Sequence, residues 1–378
     1  MLALGAELVA RGHDVTYETW SRWRDEVEAQ GMEFRAAPEY PTFPTREQPL
    51  GPYEAVVRAT AETRPAVAAA RPDVVVHDIL TLAPALAAEL ESVPVATLIP
   101  HVYPVMEPGF PPYALGARLP RTAAGRRLWR AFHRPVRVGL ERGRAELNDT
   151  RRRLGLPPVE RFHGGLSPQL TMVGTLPQLE YPREWPEHVR VVGPLMWEPP
   201  FCDVAPPPGD APLVLVAPST AQDPSHRLLR AALVGLRGEP VRVLATWNRR
   251  PLPGPVSLGA NTRLVEWLSY ARTMPGCALV ICHAGHGTMV RALVSGCPVL
   301  AVPHVGDMAE NAARVDWAGA GLRLPWPLLS ARTLRLAVRR ALGQPELGQR
   351  AAQLGAWAAS HPGPARASDL VEQLAARR

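Results

Sequence analysis

Lysine is missing from the 378-residue chain, and all 42 basic residues are arginine, a pattern that reads as coding bias rather than as a binding device. The net charge of +7 would suit a nucleic-acid partner, but the arginines are scattered. Their densest run, Arg151 to Arg153, sits among acids in ELNDTRRRLGLPPVERF, so it reads as a solvated helical face, and no nucleic-acid partner is expected. Cysteine is scarce. Cys202, Cys277, Cys282 and Cys297 show no CxxC spacing and no disulfide framework, which points to a reducing, cytoplasmic setting. No uncharged apolar stretch is long enough to span a bilayer, and the opening MLALGAELVARGHDV carries Glu7 where a signal peptide would be apolar. What is present is 46% hydrophobic residues over a length that suggests two domains of roughly 150–200 residues each.

Apolar positions at Leu4, Leu8 and Val9 followed by Gly12 predict that the chain begins on a helix with a glycine cap. HDVTY (13–17), MEFRAA (32–37), VVVHD (74–78), VPVATLIP (93–100), QLTMVG (169–174) and VRVVGPL (189–195) read as strands, alternating for the most part with helical stretches. The short, wholly apolar runs among them indicate parallel strands covered on both faces. Residues 103–158, rich in proline and arginine, predict two helical segments and no strand, an insertion able to fold over a cleft. Residues 199–212 form a proline-rich linker. Beyond it LVLVA (213–217), VRVLAT (241–246), TRLV (262–265), ALVICH (278–283) and PVLAVP (298–303) repeat the alternation. The expected architecture is α/β: two doubly wound units over 1–198 and 213–362, with a final helix in 363–378 packing back on the first.

The stretch ICHAGHGTM (281–289) lies between a strand and the helix MVRALVSG, at the carboxyl end of a parallel sheet, where ligands bind in such folds. Glycines at 285 and 287 let an anion approach the backbone, and Thr288 with the free amides of the first helical turn supplies donors. A metal cage would need Cys277, Cys282, His283 and His286 to converge. Cys282 and His283 are consecutive at a strand end and point to opposite faces, so the spacing favours phosphate over metal.

The run from VEWLSYARTMPGC through HAGHGT, ALVSGCPVLAVPHVGDMAENAARV and AGAGLRL resembles the donor-binding half of the GT-B, family 1 glycosyltransferases. RGHDVTY, PDVVVHD, VGPL and the proline-rich linker extend the likeness over most of the chain, and Trp267 to Asn311 carries its most specific portion. The resemblance implies two Rossmann-like domains facing across a cleft. It also implies an inverting transfer, without a metal ion or other cofactor, of a hexose or deoxyhexose from a UDP- or dTDP-sugar to a hydroxyl of a small acceptor. In that reading Trp267 stacks on the nucleobase and the Leu268 backbone bonds its edge. His283, Gly285, Gly287 and Thr288 hold the diphosphate, Ser219 and Thr220 add a phosphate contact, and Asp307 accepts from the sugar hydroxyls. Aromatic and proline residues in HVYPVMEPGFPPY suit an apolar acceptor.

Three departures accompany the likeness. The family's base is a histidine after the first strand, ahead of the helix that opens this sequence. Asp78, which matches the carboxylate that orients that base, is here without it. His13 occupies a helix-to-strand turn and reads as structural; His77 and His101 are conceivable substitutes. The expectation is a chain that starts at an internal methionine of a longer frame. The alternative is a catalytically impaired nucleotide-sugar-binding relative, and a Cys/His metal hydrolase is a third reading. Arg291 stands where a glutamate would accept from ribose, and an arginine only donates. Met308 replaces a sugar-contacting glutamine, a change that suits a less hydroxylated sugar.

Overall fold

The computed structural model describes residues 1–38, 53–199, 203–219, 223–250, 252 and 254–377. In the first half the strands form two parallel sheets. β1 (Thr16–Thr19) pairs with β2 (Glu33–Ala36), and β3 (Val75–Asp78), β4 (Val95–Ile99), β5 (Leu170–Val173) and β6 (Val189–Val191) lie side by side in that order. Tyr17 on β1 nevertheless feels Asp78 on β3: burial first, and the Asp78 charge second, push its phenol up to about 12.

The second half is one six-stranded parallel sheet. β7 (Leu213–Ala217), β8 (Arg242–Thr246), β9 (Thr262–Val265), β10 (Leu279–Cys282), β11 (Val299–Ala301) and β12 (Gly321–Arg323) take the order β12-β11-β10-β7-β8-β9. Successive residues of one strand feed opposite cores. Leu213, Leu215 and Ala217 pack with Val280 and Cys282 on one face, while Val214 and Val216 pack with Leu279 and Ile281 on the other. Burial on both sides is why these strands are unbroken apolar runs. Chain order reverses between β7 and β10, so a crevice opens at their carboxyl ends.

Two elements differ from the sequence expectation. The two helical segments expected within 103–158 are one helix, Ala123–Arg153, capped by Thr122, whose Oγ1 accepts from Gly125 N at 3.1 Å. Pro135 lies within it at an exposed position, where losing one amide bond disturbs no packed neighbour. The strand β12, with a glycine and an arginine in its three residues, was not anticipated.

The last helix, Gly363–Ala375, crosses back to the first half of the chain. Ala367, Val371 and Leu374 pack with Leu4, Leu98, Leu170 and Met172. Arg366 donates to Val192 O (3.1 Å), Arg11 bonds Asp369 (2.7 Å), and His13 Nε2 lies 3.0 Å from Glu372 Oε1. Val102, Leu176 and Leu179 of the first half join the core that surrounds Leu215 and Val280, so the halves share buried apolar surface.

Candidate functional site

The floor of the crevice is built just beyond β7 and β10. Ser219 N donates to Nδ1 of His283 at 2.9 Å, spanning the point where strand order reverses. A ring nitrogen that accepts has no proton, so the neutral imidazole carries its proton on Nε2. Nε2 lies 3.3 Å from Asp223 Oδ2, and both side chains are almost wholly buried. Asp223 also caps the helix Arg227–Gly235, its two oxygens accepting from Arg227 N and Leu228 N at 2.9 Å each. Burial pushes the Asp223 carboxyl up, but His283 and the two amides outweigh it and hold the group well below the usual carboxylate range. His283 thus faces protein on both nitrogens and braces the floor from beneath.

The groups facing open space belong to the next turn. Gly285 is the cap of the helix His286–Val294, and a Cβ placed on Gly285 or Gly287 would meet nothing within 4 Å. Packing therefore does not demand either glycine; both leave room above the helix terminus, with the half-buried Thr288 beside them. Ala284 takes the left-handed conformation (φ 60°) that turns the chain into this helix. Asn311 Nδ2 holds the turn, donating to Ala284 O (2.9 Å) and to Asp307 Oδ2 (3.0 Å). Asp307, half-buried, precedes the helix Met308–Ala318 and so sits beside the glycine turn.

Trp267 and Leu268 lie on the β8 side. Leu268 is buried, and the half-buried Trp267 ring runs near-parallel to Tyr270 (24°, centroids 6.5 Å apart) with the Arg249 guanidinium 5.1 Å from its centroid. Tyr270 donates to Asn248 Oδ1 (3.1 Å), and Asn248 Nδ2 donates to Pro218 O, which ties this shelf to the end of β7. Thr220 and Cys202 lie outside the described residues.

The cysteines and the remaining polar groups have other duties. Burial pushes the Cys277 and Cys282 thiols up to about 12, and Cys282 Sγ accepts from Ala284 N. Among the described residues no three His, Cys, Asp or Glu side chains converge as a metal-holding group. Arg291 donates to Trp197 O (3.0 Å), fastening the start of the linker, and Met308 is buried. Asp78 Oδ1 accepts from Leu80 N (2.8 Å), and among the described residues no histidine hydrogen-bonds its carboxylate. His77 is buried and locked, with Nδ1 on the carbonyls of Asp78 and Thr81 and Nε2 on Thr97 Oγ1 at 2.7 Å.

His286 reaches across the cleft from the glycine turn to Thr175 Oγ1 at 3.0 Å. Burial, with His101 adding to it, pulls its ring down to about 3 from the ordinary value near 6.5. Below pH 6.5 the unfolded chain binds a proton that the folded ring refuses, so stability falls as pH drops from 6.5 towards 3. His77 and His163, lowered by burial, act in the same direction. His286→Asn is expected to make that fall shallower in urea titrations at pH 7, 5.5 and 4.5; an unchanged slope would show that the ring is free to protonate in the fold.

Residues 230–374 match the family described as "Erythromycin biosynthesis protein CIII-like, C-terminal domain". The chain is 28% identical to 4'-demethylrebeccamycin synthase of Lentzea aerocolonigenes, over 99% of its own length and 96% of the relative's. It is 30% identical to O-mycaminosyltylonolide 6-deoxyallosyltransferase of Streptomyces fradiae, over its whole length and 94% of the relative's. The chain belongs to the family 1 GT-B glycosyltransferases. The crystal structure of CalG4, the calicheamicin glycosyltransferase, superposes on it with a TM-score of 0.77 at 25% identity, covering 100% of this chain and 94% of that one. The glycosyltransferase therefore has the two Rossmann-like domains of the GT-B fold and transfers a sugar to an acceptor. No helix among its described residues is long and apolar enough to cross a membrane.

Sequence reading missed several groups that shape this site. Asp223 carries a legible signal, an aspartate just ahead of the apolar helix RLLRAAL. Asn248, Thr175 and Asn311 carry none, because each has a partner more than twenty residues away: Pro218, His286 and Ala284.

Proposed function

We propose that the glycosyltransferase is an inverting enzyme that takes a hexose or deoxyhexose from a UDP- or dTDP-activated donor and passes it to a hydroxyl of a small, apolar acceptor, in the cytoplasm and without a metal ion. The observation that carries this reading is the open glycine turn at the reversal point of the second sheet, with Asp307 held beside it by Asn311. One relative supports the sugar class, being named for a 6-deoxyallosyl group.

In this reading the diphosphate rests on the amides from Gly285 to Thr288, with Ser219 and Thr220 beside it, and Asp307 accepts from the sugar hydroxyls. Trp267 offers its ring to the base, with the Leu268 backbone at the base edge. His283 acts by fixing Ser219 and the turn from beneath. The resemblance implied a direct phosphate contact, but the buried ring already meets Ser219 and Asp223. Charge gathers on the leaving diphosphate as the sugar departs, and oriented amides at a helix terminus stabilise it without reorganising. Asp78, at the end of β3, is the carboxylate that in this reading orients a histidine base.

A thermal-shift titration tests the reading. UDP or dTDP should raise the melting temperature of the folded enzyme in a saturable way. Asp307→Asn should weaken a nucleotide sugar about 10-fold or more while leaving the free nucleotide nearly unaffected, since it replaces a charged acceptor of sugar hydroxyls. No response to either nucleotide would end the donor-site assignment.

A further inference from the structure

The proline-rich linker lies along the second domain. Trp197 O accepts from Arg291 (3.0 Å), the Asp203 carboxylate pairs with Arg272 (2.6 Å), and Ala205 O and Ala211 O accept from Arg263 (2.7 Å) and Arg242 (2.8 Å). Val204 packs on the core that holds Leu215 and Val280. Arg242 and Arg263 stand on β8 and β9, and Arg291 on the helix of the glycine turn. The described part of the linker is therefore a strap held to one domain.

At Glu198 the strap meets the shelf that carries Trp267. Pro199 behind it disfavours helix at this residue, and the half-buried carboxylate turns to the helix Tyr270–Thr273. Oε1 accepts from Tyr270 N (2.8 Å), and Oε2 accepts from Ala271 N (3.0 Å) and Ser269 Oγ (3.0 Å). Ser269 Oγ accepts in turn from Arg272 N (3.2 Å). A four-residue helix consists almost wholly of terminal amides without partners in their own turn, and such a nucleus does not form by itself in water. Glu198 supplies two of the missing acceptors from the linker. Tyr270 is thus fixed at its amide by Glu198 and at its hydroxyl by Asn248 Oδ1 (3.1 Å), with its ring beside that of Trp267.

We propose that Glu198 is a positioning residue for the nucleobase, holding the Ser269–Ala271 turn and, through Tyr270, the Trp267 ring. This rests on the donor reading above, in which Trp267 meets the base. With the turn ordered in advance, the base meets a shelf already in place. Without the carboxylate, binding must order the turn as well, and affinity falls by that cost.

A double-mutant cycle read by titration calorimetry on the full chain, with dTDP and UDP as probes, tests the assignment. Glu198→Ala should weaken both nucleotides by about 5- to 10-fold, the scale of a lost helix cap. Glu198→Gln, whose side-chain oxygen still accepts one amide, should lose less, and it carries the same cycle if the alanine variant does not fold. Trp267→Ala should weaken both nucleotides too. Because Glu198 acts through the Trp267 ring, the double variant should bind no more weakly than Trp267→Ala alone, whereas a general loosening of the domain would add a second, independent loss. If neither nucleotide binds the parent, the donor reading fails and this assignment with it. If nucleotide binds the parent, any of three results overturns the role of Glu198 and leaves the diphosphate site standing: Trp267→Ala binds like the parent, the Glu198 variants bind like the parent, or the two losses add in full.

Discussion

Arg314→Met should cost the folded enzyme about 3–5 kcal/mol, the usual loss when one member of a buried ion pair is removed and its partner stays behind. Arg314 is 3% exposed and stands between two equally buried acids. Its Nε donates to Glu310 Oε1 at 2.7 Å, its Nη1 to Leu179 O at 3.1 Å, and Glu180 Oε2 lies 3.4 Å from Nη1. The guanidinium also lies over the Tyr181 ring, 3.5 Å from its centroid. Burial already pushes the Glu180 carboxyl up while Arg314 opposes it. Without the arginine two carboxylates face each other in the interior, and one must take a proton. A folded pKa raised above the unfolded value gives stability that is present at low pH and lost as pH rises through the folded pKa, so the deficit should be smaller at pH 5 than at pH 8. Urea unfolding at the two pH values reads both effects. Adding Glu180→Gln should recover part of the loss at pH 8. A deficit under about 1 kcal/mol, or one independent of pH, would mean that water reaches the cluster and screens it.

His283→Ala should act on stability and on nucleotide binding together. It removes the part-buried hydrogen bond from Ser219 N and the buried ring next to Asp223. Losing a hydrogen bond of this kind costs about 0.5–1.5 kcal/mol, and the Ser219 loop loses the contact that ties it to β10. The variant should melt at lower temperature and lose most of the stabilisation that dTDP or UDP gives the parent. His283→Asn, whose side-chain oxygen can still accept, should recover part of the melting temperature. If His283→Ala melts like the parent and responds equally to nucleotide, the ring has no part in shaping the site.

The second sheet was legible because strands covered on both faces must be apolar throughout. LVLVA and TRLV match β7 and β9 to the residue. β12 was not, since Gly321–Arg323 is short and carries an arginine at its end. The two helical segments expected within 103–158 are one helix that runs through Pro135, because the effect of a proline depends on whether anything packs there. At the site, the glycines, Thr288 and Asp307 could be picked out by spacing and family likeness. What spacing could not show is the direction in which His283 turns, which is decided by Ser219 and Asp223, some sixty residues away. Arg291 was recognisable as a departure, but its duty to Trp197 O comes only from the fold. The Glu180–Arg314 contact was equally silent, its members standing 134 positions apart in the sequence.

The return of Gly363–Ala375 to the first domain also limits how the two domains can move. The polypeptide passes between them twice, once outward through the linker and once back through this helix. Two covalent crossings leave less freedom to twist or slide than a single linker would, because the second closes a loop that the first leaves open.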